Sequence, residues 1–395
     1  MFASMMNEDT KNYTAEQLAV ELQKLGSSIN VFSGTDGVTF NVQSLKKNLD
    51  KTLALLQERL FNPKFTSDAF DRLKKQRLES FKIAKSQPAT IANNVFAKLN
   101  YGPNHILGMD EGGTEETVNN ISLKDVEEYY NNYMTSRGTK VVVVGDIKQE
   151  EVLPKLSFLD KLPKKNIVLP KIESSPSVEK TRVYMVDIPK GAQTEFRVGY
   201  PTGLKYDATK DFYRAYLANY LLGGDFNSRL NINLREDKGW TYGARSGFSG
   251  DEHSGEFEFS SGIRADATDS ALVEVMREIK EYVQNGPTTE ELVFMKSAIS
   301  QRDALRYETP GQKALFIGRI LDYNLPANYV ELQNNILKNM TREELQKVAS
   351  KYINPDKLNV LLVGDKERIL DGVKKLGYEI VELDTDGKRI DKKEF

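Results

Sequence analysis

The chain has 395 residues, 39% hydrophobic and 28% charged, with 18 Tyr, 18 Phe and one Trp; this is enough apolar material for a large core, excludes a disordered chain, and predicts two or three domains at about 150 residues each. Lys and Arg number 55 against 57 Asp and Glu, a net charge of −2, so no global basic field draws nucleic acid or an anionic membrane. The absence of cysteine excludes disulfides, thiolate zinc sites and a cysteine nucleophile, and only His105 and His253 remain for imidazole chemistry.

The first residues, Met1-Phe2-Ala3-Ser4-Met5-Met6-Asn7-Glu8, lack the basic and apolar regions of a signal peptide. No run of 18 apolar residues follows, so no membrane insertion is expected. Cytoplasm and periplasm both remain open. Strands are predicted over 28–32 and 38–43, and an amphipathic helix over 45–60. Asn62-Pro63-Lys64-Phe65-Thr66 leads into a helix carrying Lys74. His105 falls in a loop, far from any helical partner that would make it a metal ligand. Ser122 with Asp125 reads as a capping box opening a helix, and Val141-Val142-Val143-Val144 as a buried strand ending at Gly145-Asp146.

A proline-punctuated stretch follows, with Pro154, Pro163, Pro170 and Pro176. Its lysines, Lys161, Lys164 and Lys165, read as a solvated linker rather than a nucleic-acid arm. Beyond it the same order of elements returns. Strands open at 182–186 and 193–200; the pair 241–249 and 255–264 precedes a helix over 269–283. Asn285-Gly286-Pro287-Thr288-Thr289 leads into a helix carrying Lys296, with Thr288 lying 222 positions after Thr66. Thr341 and Glu344 repeat the capping box, and Val360-Leu361-Leu362-Val363-Gly364-Asp365 repeats the closing strand 219 positions after the first.

The expectation is a duplicated α+β protein of two homologous domains, each an antiparallel or mixed sheet with helices packed on one face. The first domain spans 1–160, a linker 161–181, and the second domain 182–395. The first copy has no counterpart of the opening strands at 182–186 and 193–200, so it is expected to be incomplete at its N-terminus.

One segment stands apart chemically. A helix is expected to stop at Gly223-Gly224, and a second to run from Asn227 or Ser228 to Lys238, with Gly239 ending it and a strand starting at Thr241. No Gly-Lys-Ser/Thr follows the double glycine, so it is a helix stop rather than a phosphate cradle. Arg235 lies in the last helical turn and Tyr242 just inside the strand. A rigid guanidinium fork and a phenol on one surface suit a peptide carbonyl or an oxyanion. The plainer roles are a helix-end cation paired with Glu236 or Asp237, and an ordinary strand aromatic. His253, beside Asp251 and Glu252, marks a hairpin tip.

Gly-Gly-x-x-x-Ser-Arg-Leu, then Leu-Arg-Glu-x-x-Gly-x-x-Tyr-Gly, together with Gly112-Gly113-Thr114-Glu115-Glu116, resembles the pitrilysin/insulinase family of inverzincin metallopeptidases, over almost the whole chain. The resemblance implies that Arg235 and Tyr242 contact substrate across from a zinc site on another domain. The family's His-x-x-Glu-His is absent. Its Glu and second His fall at Ala3 and Ser4, and its later Glu ligand near Ser80, beside Glu79. The resemblance thus implies a non-catalytic half of a zinc-dependent peptidase, binding peptides and closing a chamber. No metal or catalytic residue is expected in this chain. Zinc is expected in a partner half, encoded upstream in the same polypeptide or as a separate subunit. A structural or assembly subunit of the same fold, without a role in proteolysis, is the alternative.

Overall fold

The computed structural model describes residues 1–168, 171–172, 174–303 and 307–390; Pro170 of the expected linker lies outside them. The fold is mixed α+β and falls into two compact units. One comprises Met1–Ile83, Asp110–Lys171 and Thr309–Leu315; the other comprises Ala84–Met109, Ile172–Glu308 and Phe316–Phe395.

In the first unit, β1 (Ser28–Gly34) and β2 (Gly37–Gln43) form an antiparallel hairpin. The helix Ala15–Leu25 is held at its start by a Thr14–Gln17 capping box and at its end by Gly26, at φ 60°. Its Leu18 and Leu22 meet Ile29 of β1 and Leu53, Leu56 and Leu60 of the helix Leu49–Phe61 in one core. The apolar spacing of three or four in these helices puts these side chains on one face, as the sequence predicts.

The second unit holds six further strands: β3 (Arg182–Asp187), β4 (Gln193–Pro201), β5 (Thr241–Gly250), β6 (Gly255–Arg264), β7 (Asn359–Gly364) and β8 (Ile380–Leu383). They lie in the order β5-β6-β4-β7-β3-β8. β3 runs parallel to β7 and β8, while β4 pairs antiparallel with β6 and β7. Phe196, Val198, Phe257 and Phe259 turn one face of the sheet toward Leu272 and Val275 of the helix Thr268–Asn285 and Leu345 of the helix Arg342–Tyr352. Each fully buried aromatic or branched side chain in such a layer contributes about 1.5–3 kcal/mol of transfer free energy.

The duplication is visible in detail. Ser122 with Asp125 and Thr341 with Glu344 both form complete capping boxes. The Lys74 ammonium donates to the Asn119 carbonyl, and the Lys296 ammonium, at the matching position, donates to the Lys338 carbonyl, both at 2.8 Å.

One expectation differs from the structure. Residues 141–144 were predicted as a buried strand, yet they join no strand; Val141 and Val143 are 50% and 44% exposed. Their counterparts in β7, Val360 and Leu362, are fully buried because β4 and β3 flank that strand on its two sides. The first copy has no sequence counterpart of β3 or β4, so the two strands that flank β7 have no equivalents beside 141–144 among the described residues.

The span 1–160 is the expected first domain. The helix Pro88–Tyr101 lies within it but packs on the sheet of the second unit. Ile91, Ala92, Val95 and Phe96 cover Tyr184, Val186, Leu361 and Val363 on the face opposite the main core. Asn93 accepts from Arg197 Nε at 2.9 Å, and Asn100 donates to Glu256 at 3.0 Å. β7 is thereby apolar on both sides, which explains its uninterrupted hydrophobic run.

Candidate functional site: the Arg235–Tyr242 turn

The helix Asp211–Asn219 continues into a wider π-helical turn, Tyr220–Gly224. Such turns need a local reason to form and recur at functional sites. Here the reason is close approach: a Cβ on Gly223 would stand 2.2 Å from Ser246 Oγ of β5. Asn219 fastens the same contact, donating to the Ser246 carbonyl at 2.7 Å and accepting from its hydroxyl at 2.6 Å. Asp225 then accepts from the Tyr220 hydroxyl at 2.7 Å, and burial, followed by this carboxylate, pushes the Tyr220 phenol up to about 12.

After Ser228 the chain re-enters a helix, Arg229–Asn231, which widens again into the π-helical segment Ile232–Asp237. Gly239, at φ 64°, reverses it. The reversal is closed by the Gly239 amide on the Arg235 carbonyl (3.1 Å) and the Trp240 amide on the Leu234 carbonyl (3.0 Å). The predicted helix, glycine stop and strand are all present.

Arg235 lies in the last turn, as expected. Its guanidinium sits over the Phe226 ring at 4.5 Å, and Nε is 3.5 Å from a Glu236 carboxylate oxygen. The plainer role, pairing with a neighbouring acid, is thus present alongside the aromatic contact. An exposed contact of that length holds the side chain only weakly.

Tyr242 is the second residue of β5, within a register shift between Thr241 and Ala244. Bulges of this kind re-aim a side chain. Ser261 of β6 anchors this one by donating to Thr241 Oγ1 at 3.0 Å or to the Gly243 carbonyl at 2.9 Å. Tyr242 is left 90% exposed and makes no hydrogen bond among the described residues. The structure therefore places the pair on two rigid elements joined by a three-residue turn, without direct contact between the two side chains. Arg229, in the same motif, does something different: it forks onto Glu291 at 2.6 and 2.7 Å and lies over Tyr282, tying the segment to the core.

The sequence reading missed Asn231. Its Oδ1 accepts from the Ala244 amide at 3.0 Å and its Nδ2 donates to the Phe226 carbonyl at 2.7 Å. The available signal was a polar residue between Leu230 and Leu234 on an otherwise buried helical face. It also missed a polar cluster on the second face of the sheet, where Arg197 lies 3.3 Å from Glu195 and 3.4 Å from Glu258. Burial foremost, then the Glu256 charge, pushes Glu258 up to about 7, against the pull of Arg197.

At the positions implied for zinc ligands, Ala3 and Ser4 stand on the short helix Phe2–Met5 and Glu79 is exposed on the helix Ser67–Ala84. A methyl and a hydroxyl do not fit a zinc ion there. No group of three or more His, Cys, Asp and Glu side chains is arranged for a metal among the described residues. His105 lies in a loop, as expected, and is buried there: it stacks on Tyr101 with ring centres 5.2 Å apart, and its Nδ1 accepts from the Leu107 amide. His253 lies in the β5–β6 hairpin.

The duplicated mixed α+β fold, with its Arg–Tyr turn and no zinc motif, defines the class as that of the inverzincin peptidases' domains. Two models of a single family match the chain: "Insulinase (Peptidase family M16)" over residues 2–103 and "Peptidase M16 inactive domain" over residues 120–299. The chain belongs to peptidase family M16. A Helicobacter pylori relative described as a non-peptidase homolog, YmxG, is 26% identical across 93% of this chain and 84% of its own length. Among solved structures, a peptidase M16 inactive domain from Pseudomonas fluorescens superposes with a TM-score of 0.84 at 24% identity, covering 92% of this chain and 87% of that one. The periplasmic protease PqqL from Escherichia coli gives 0.75 at 14% identity, where the match covers 92% of this chain and 40% of the longer neighbour.

Proposed function

We propose that this chain is the substrate-binding, chamber-closing, non-catalytic half of a zinc-dependent peptidase, with Arg235 and Tyr242 as its contacts to the peptide. The observation that carries the reading is Tyr242: a phenol on a hydrogen-bonded bulge, 90% exposed, that the protein's own packing does not use. An ordinary strand aromatic buries its ring. Arg235 supports the reading because its guanidinium lies over the Phe226 ring while only its Nε approaches Glu236.

On this account the zinc, held by the partner half, supplies the hydrolytic chemistry. The Tyr242 hydroxyl donates to a peptide carbonyl oxygen, and the guanidinium of Arg235 engages an adjoining one with paired N–H groups. The backbone at both positions is set before substrate arrives by the regular elements on either side of Gly239. The relative described as a non-peptidase homolog and the match to the family's inactive domain support a role without a zinc centre of its own.

The test is fluorescence anisotropy with a fluorescein-labelled, unstructured 20-residue peptide. The wild-type chain binds it saturably. Tyr242→Phe and Arg235→Ala each weaken binding by about 3–10-fold, the value of a lost hydrogen bond, at an unchanged melting temperature. No saturable binding, or equal affinity in all three proteins, would transfer the chain to the assembly-subunit reading.

A further inference from the structure

Asn231 is nearly fully buried, at 4% exposure, and its side chain reaches both limbs of the Arg235–Tyr242 turn. Through Nδ2 it holds the carbonyl of Phe226, the residue whose ring lies under Arg235. Through Oδ1 it holds the amide of Ala244, two residues beyond Tyr242 on β5. Asn219 fastens the neighbouring π-helical turn to the same strand at Ser246 but does not reach Phe226.

We infer that Asn231 is the positioning residue of the peptide-contacting pair, setting the separation between the Phe226–Arg235 platform and the strand that presents Tyr242; this rests on the peptide-binding reading above. The chemistry is specific to a carboxamide. Phe226 offers only an acceptor and Ala244 only a donor, so the link needs one N–H and one oxygen on the same side chain. An Ala removes both ties. An Asp keeps the tie to Ala244 but turns a carboxylate oxygen against the Phe226 carbonyl, and protonating that carboxyl restores a donor. The Asn231→Asp protein therefore carries its own rescue at acid pH.

The experiment reads the Arg235 Nε–H resonance by NMR, which the Phe226 ring current displaces, and the anisotropy of the fluorescein-labelled 20-residue peptide. Wild type, Asn231→Ala and Asn231→Asp are compared at pH 7.5 and pH 5, the wild type controlling for every other titrating group. The ring-displaced Arg235 signal is expected in the wild type at both values. It should be lost in Asn231→Ala at both, and in Asn231→Asp at pH 7.5 only. Peptide affinity should fall about tenfold wherever the signal is lost, and recover with it. An unchanged Arg235 signal in Asn231→Asp at pH 7.5, with the protein folded by its melting curve, overturns the positioning role. Absence of peptide binding by the wild type overturns the peptide reading instead, and the Arg235 signal still decides the geometry.

Discussion

Glu258 shows how much of a residue's chemistry is set by what packs beside it. The alternation Glu256-Phe257-Glu258-Phe259 marks a half-exposed strand, and β6 indeed buries both phenylalanines. The glutamate face is less open than that pattern implies, because Arg197 and Glu195 crowd it and Glu256 lies on the same side of the strand. A carboxyl whose folded pKa is raised holds its proton longer in the native state than in the unfolded chain. Stability from this group is therefore present at low pH and is lost as pH rises from about 4.5 to about 7. Glu258→Gln should match the wild type in urea unfolding at pH 4.5 and exceed it at pH 8 by about 1 kcal/mol, a figure reduced for the partial exposure of the side chain. A variant less stable than the wild type at pH 8 would show that the Arg197 contact outweighs the burial cost. The same dependence on neighbours explains what was legible in the site. Arg235 and Tyr242 stand out in the sequence because helix end, glycine and strand start are local signals. Asn231 does not, because its role exists only where Phe226, the helix and β5 meet.

At the scale of elements, local rules were the most legible. The repeated capping boxes at Ser122 and Thr341, the hairpins and the glycine reversal at Gly239 follow from residues within a few positions of each other. Elements that depend on distant partners were not. Residues 141–144 have the composition of a core strand, but a strand is completed by its neighbours, and β7 owes its burial to β3 and β4. The helix Pro88–Tyr101 has an amphipathic pattern that says which face it buries, not which sheet receives it. Its packing makes a prediction that the contiguous domain division does not. Phe96→Ala should destabilise the second unit by about 3–4 kcal/mol through the cavity left against β3 and β7. Hydrogen exchange resolved by unit would locate the loss at residues 182–187 and 359–364, and a loss confined to the first unit's core would contradict the packing.

At the scale of the whole molecule, the duplicated fold carries the Arg235–Tyr242 turn and lacks the His-x-x-Glu-His motif. That combination makes sense in an assembly whose other half holds the metal. The central claim is that Arg235 and Tyr242 act on a peptide in such an assembly. The direct measurement is turnover of a fluorogenic unstructured peptide by this chain combined with a His-x-x-Glu-His-bearing half of the same family. The account predicts hydrolysis only when both halves are present. Tyr242→Phe and Arg235→Ala should each lower turnover by about 10²–10³-fold, the usual consequence of removing a pre-positioned donor, with melting temperatures unchanged. Wild-type rates from both variants, or full hydrolysis by the zinc-bearing half alone, would contradict it.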